Sequence, residues 1–110
     1  MDWRNIKNGR VIPSVSYSDQ PYIVQTGDGA GCAPGAWLCA ITTGAGREGE
    51  PGQTVITTRS TDRGGTWSDP LMVEPADGPE ASYAVLLRLP SNRIAIFYNH
   101  NTDNIRQISA

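Results

Sequence analysis

The octapeptide Ser60-Thr61-Asp62-Arg63-Gly64-Gly65-Thr66-Trp67 constrains this chain more than any other stretch. Ser60 and Asp62 are short acceptors able to bond nearby backbone N–H groups, a chemistry that ends a strand and starts a turn. Gly64 and Gly65 supply positive φ at little steric cost. Trp67 then returns an apolar mass to a sheet, with an indole N–H that needs an acceptor. The β-prone run Gln53–Arg59 leads in and Pro70–Val73 leads out, so the octapeptide reads as the connection of an antiparallel hairpin. An ordinary glycine-rich turn would explain the aspartate and the glycines, but not the flanking Ser60 and Trp67.

The rest of the chain agrees with an all-β fold. With 12 glycines and 8 prolines, every window that might form an amphipathic helix is interrupted. A lead-in or closing strand is expected over Val11–Val15, within a first segment at 1–20. Strands follow at Pro21–Thr26, Ala36–Thr43, Thr54–Ser60 and Leu71–Glu74, one antiparallel meander over 21–76. The Ala36–Thr43 strand is apolar on both faces, as an interior strand between packed layers should be. Over 77–110 the pattern restarts with Ala81–Leu89, a turn at Pro90-Ser91-Asn92 and Arg93–Asn99, and a third strand is expected from Asn104. Asn92 suits that turn because it tolerates left-handed backbone. A small β-sandwich or open sheet with long loops is the alternative architecture.

At its fixed positions Ser60, Asp62, Gly64, Thr66 and Trp67 the octapeptide resembles the Asp-box of sialidase-type β-propellers. The resemblance implies an incomplete propeller of about two antiparallel blades, with the box on a blade's outer rim in a scaffold role. Looser likeness over Asp19-Gln20-Pro21-Tyr22, Asp77–Ser82 and Tyr98-Asn99-His100-Asn101 is to sialidase-like glycosidases that process uronic or other acidic sugars. It implies a fragment of such a glycoside hydrolase, inactive alone. The family's acidic proton donor lies on a loop whose place Glu48 and Glu50 fill here. Its start motif Arg-Ile-Pro is similar to Arg10-Val11-Ile12-Pro13, which makes Arg10 a candidate carboxylate ligand. The other class in view is a non-catalytic carbohydrate-binding or structural propeller module completed by oligomerisation, three two-blade copies approximating six blades.

Glycosidase chemistry needs a protonatable carboxyl beside the leaving oxygen and a second group across the sugar. Glu48 and Glu50, on the glycine-rich loop Gly44–Gln53 with Arg47, are the candidate acids. Asp19 and Gln20 lie in the loop before the first full-blade strand, while Asp77, Glu80 and Tyr83 lie on the connection into the second. Asn99, His100, Asn101, Asp103 and Arg106 bring amides and charges suited to a sugar's hydroxyls. For each loop the competing reading is a solvated turn.

Composition narrows the classes. Nine Lys and Arg against eleven Asp and Glu give a net charge of −2, and no basic stripe is present to pair with phosphates, so no nucleic-acid partner is expected. No apolar run approaches the ~20 residues of a membrane span, and Met1-Asp2-Trp3-Arg4-Asn5 is no apolar signal segment. His100 is the single histidine, which rules out a multi-histidine metal site within one chain, and no cofactor is implied. Cys32 and Cys39 fit neither a redox motif nor a zinc site. Their spacing leaves bridged and free states open.

Overall fold

The structure, a computed structural model, describes residues 1–2, 4–26, 35–47 and 50–102. Among the described residues the fold is all β after a single 3-10 turn at Ile6–Asn8. These residues form six strands: β1 (Tyr17–Gln25), β2 (Trp37–Gly44), β3 (Gln53–Ser60), β4 (Leu71–Met72), β5 (Glu80–Arg88) and β6 (Ile94–Asn101). They form two antiparallel sheets, a meander in the order β1-β2-β3-β4 and a hairpin β5-β6. No helix among the described residues is long and apolar enough to cross a membrane.

The first sheet is covered on both faces, which explains why β2 and β3 read as continuous apolar and threonine runs. On one face Ala40 and Val55 join Ala81, Ala84 and Leu86 of β5, flanked by Val24, Leu38, Ile94, Ile96 and Tyr98. On the other, Cys39, Ile41 and Ile56 are covered by Ile12 and Trp67. Burying a side chain the size of Ile56 or Val55 stabilises the fold by roughly 1.5–3 kcal/mol.

Buried threonine hydroxyls fasten segments that run across the sheet rather than within it. Thr43 Oγ1 accepts from the Val15 N–H (3.0 Å), and Thr42 Oγ1 accepts from that of Tyr83 (3.1 Å). Thr54 and Thr58 each donate to a main-chain carbonyl, those of Glu74 and Ser68, at 2.6 Å. Val11–Val15 is therefore a strap held by Ile12 and the Val15 N–H, not the strand its sequence suggests.

The two hairpins repeat one another in backbone. In β1–β2 the ladder runs from Tyr17↔Gly44 to Asp19↔Thr42, skips, and resumes from Tyr22↔Ala40 to Gln25↔Trp37. In β5–β6 it runs from Glu80↔Asn101 to Ser82↔Asn99, skips, and resumes from Val85↔Phe97 to Arg88↔Ile94. Each skip sets two residues against one, a β-bulge. In both bulges the fourth strand residue has positive φ, 49° at Gln20 and 57° at Tyr83, a conformation costly for a side chain other than glycine. The bulge also lets β1 pass through Pro21, which has no N–H to give a regular ladder. Hence β1 begins at Tyr17, inside the segment whose sequence suggests a lead-in, whereas β4 stops at Met72. The third strand expected from Asn104 lies outside the described residues.

β5 crosses the first sheet in the same sense as β1. Tyr83, early in β5, is bonded to Thr42 opposite Asp19. Arg88, at its end, reaches the carbonyl of Gln25 at 3.5 Å. The starts of β1, β3 and β5 and the ends of β2, β4 and β6 thus share one end of the molecule, here the open end. The octapeptide turn and the turn at Leu89–Arg93 share the other.

Candidate functional site

At the turn end, Asp62 is the hub of the octapeptide. Its Oδ1 accepts from Ser60 Oγ and the Thr66 N–H, both at 2.8 Å, and its Oδ2 accepts from Thr66 Oγ1 at 2.7 Å. The Thr66 amide and hydroxyl, then Ser60, hold its carboxyl down at about 2. Ser60 Oγ in turn accepts from the Gly64 N–H at 2.7 Å. Positive φ falls on Arg63 and Gly64, not on both glycines as the sequence suggests. Each glycine nonetheless sits in tight space. A Cβ on Gly64 would stand 3.1 Å from the Trp37 ring, and one on Gly65 3.1 Å from Asp62 Oδ2. Trp67 packs inward, and its buried Nε1 has no acceptor among the described residues. With both carboxylate oxygens committed to the turn, Asp62 is a scaffold group.

The open end gathers most of the residues proposed from sequence: Asp19 and Gln20 on β1, Glu80 and Tyr83 on β5, Asn99, His100 and Asn101 on β6, and Arg47, Glu50 and Asp77 on the loops between strands. Asn101 Nδ2 donates to the buried Glu80 carboxylate at 3.3 Å, so these two end the β5–β6 ladder as a joined pair. Glu50 Oε2 accepts from the Arg47 N–H at 3.0 Å and closes its own loop. Glu48, Asp103 and Arg106 lie outside the described residues.

Arg10 does not join this group. It lies at the turn end, lining a cleft of about 310 Å³ with Lys7, Asn8, Arg63 and Gly64. The strap that carries it runs up the sheet and reaches the open end only at Val15.

Two residues at the open end escape a local reading of sequence. Glu74, just past β4, accepts a short hydrogen bond from the Tyr98 hydroxyl, and its other oxygen lies 3.9 Å from His100 Nε2. Hydrogen bonding to this carboxylate raises the Tyr98 phenol above its ordinary value, so Tyr98 is held as a protonated donor and not as a phenolate nucleophile. Glu74 thereby ties β6 to the end of the first sheet. The only local hint is a tyrosine and a histidine two apart on one strand, which share a face.

The described part of the open end is rich in carboxylates, at Asp19, Glu50, Glu74, Asp77 and Glu80, and holds one guanidinium, Arg47. Carboxylates and amide oxygens accept what hydroxyls donate; of these five, Glu74 is already engaged by Tyr98, and Glu80 is buried against Asn101. No group of three or more metal-ligating side chains is assembled among the described residues. Cys39 is a free, buried thiol, pushed up to about 11 by burial, while Cys32 lies outside the described residues.

No family model matches the chain, and neither curated proteins nor solved structures yield a match.

Proposed function

We propose that the chain is part of a sialidase-like β-propeller glycoside hydrolase and that its open end faces the glycan. The observation that carries this reading is the repeat. Two hairpins share one register and one strained bulge, are stacked in the same sense, and come with an octapeptide turn in which Ser60, Asp62, Gly64 and Thr66 all serve the turn. Repeated sheets stacked face to face suit radial repetition, and an end common to all the strands suits a binding face. In a complete protein these two sheets would supply binding groups, with Glu50 and Glu48 the candidate acids and Arg47 the described cation for an acidic sugar. The surplus of carboxylates favours sugar hydroxyls over sugar carboxylates as the groups that this part grips.

The test is a glycan array read with the purified chain, followed by a panel of aryl glycosides. The expected result is weak glycan retention, reduced at least fivefold by Asp19→Ala or Asn99→Ala, with no hydrolysis. Hydrolysis abolished by Glu50→Gln would overturn the part of the proposal that makes the chain inactive alone. Failure to retain any glycan would sink the assignment of the open end.

A further inference from the structure

The match between the hairpins fixes which faces correspond. Laying β1 on β5 and β2 on β6 by their ladders places Val24, Leu38 and Ala40 on Leu87, Ala95 and Phe97. The first three form the face that β5 covers. Their counterparts face away from the first sheet, with Leu87 51% and Phe97 56% exposed and Ala95 half-buried between them. The same alignment places Ser18, Pro21 and Ile23 of β1 on Ala81, Ala84 and Leu86 of β5, the side chains that do the covering. Ile23 is bare as well, at 44% exposed.

The chain therefore carries part of each half of its own internal interface a second time, exposed and on opposite outer sides. A plug faces out from β1 and a socket faces out from β5–β6. Lying on opposite sides of the stack, they cannot meet within one molecule, but they can meet between molecules. We propose that the Val85, Leu87, Ala95 and Phe97 face docks the Pro21–Ile23 side of β1 from a second copy of this chain, joining copies head to tail and continuing the interface that already holds β5 on β2 and β3. Such a heterologous contact builds a ring if its rotation closes and a filament if it does not. On the plug side, Cys39 and Ile41, the counterparts of Ile96 and Tyr98, are already covered by Ile12 and Trp67. The plug is therefore narrow, and association should depend on concentration. This inference stands on the ladders and not on glycan binding, so a monomer that still retains glycans overturns it alone.

Light scattering on the full chain over a hundredfold range of concentration tests it, with socket variants Leu87→Asp and Phe97→Asp and plug variant Ile23→Asp. All three positions are exposed, and an unchanged circular dichroism melt checks the fold. Phe97→Ser and Ile23→Ser serve where aspartate unfolds the chain. The expected result is a mass that at least doubles with concentration, a monomer for each single variant, and dimers but nothing larger when a socket variant is mixed with a plug variant. A wild-type chain that stays monomeric overturns the proposal. So does association that survives Ile23→Asp and disappears with Phe97→Asp, because that pattern means two sockets meeting face to face.

Discussion

The β1–β2 and β5–β6 hairpins have the same ladder, bulge and left-handed residue, yet β2 is buried along most of its length while β6 has no fully buried residue. Their sequences share little. Gln20 and Tyr83, Gly44 and Asn101, Ala40 and Phe97 occupy matching places. Backbone geometry in this fold is thus set by register and turn placement, whereas burial is set by what lies alongside. The first sheet has neighbours on both faces and the second has one.

The comparison breaks most sharply in the core. Ile56→Ala should cost about 2–5 kcal/mol, as buried aliphatic truncations do, and Phe97→Ala on the bare face about 0.5 kcal/mol or less. Urea titrations at a concentration low enough to suppress association read both, and equal costs would mean that the second sheet is not one-sided. A smaller contrast sits at the ladder ends. A Cβ on Gly44 would stand 1.9 Å from the Gly52 carbonyl oxygen, so Gly44→Ala should cost about 1–3 kcal/mol or more through overpacking. Asn101→Gly, at the matching place, loses one hydrogen bond to Glu80 and should cost about 1 kcal/mol.

The octapeptide has no counterpart in the described part of the second hairpin, and acid isolates it. Asp62 is depressed from 3.8 to about 2, so its contribution is complete above the unfolded value and is lost as pH falls through the folded one. Thermal melts between pH 5 and pH 2 should fall more steeply for the wild type than for Asp62→Asn. Parallel curves would remove Asp62 from its role as hub.

The smallest effect concerns the bulges. Gln20 is exposed, so Gln20→Gly should relieve part of roughly 1 kcal/mol of left-handed strain and leave stability unchanged or slightly raised. Tyr83→Gly gives up a half-buried ring and should destabilise. The same sign at both sites would show that the two bulges do not differ in environment as their burial implies.

What the sequence reveals follows from how local each signal is. The octapeptide turn is legible because all its partners lie within a few residues, and the turn at Asn92 reads correctly for the same reason, with φ at 64°. β2 and β3 are legible because burial on both faces leaves a continuous apolar and β-prone run. The start of β1 is not, because Pro21 reads as a strand boundary until the bulge at Gln20 shows how a ladder passes through it. Arg10 is misplaced by any local motif, since its position depends on how the strap crosses a sheet formed by residues far along the chain. Glu74 and Tyr98 are linked only through the packing of one sheet on the other.

Thr42, Thr43 and Thr54 grip the traversing segments by their peptide groups, not by their side chains. Every residue except proline offers the same N–H, and every residue offers the same carbonyl, so the grip is indifferent to which amino acids the traversing segments carry. A scaffold attached in this way can accept new loop sequences at its open end, and with them new ligands, without renegotiating its core.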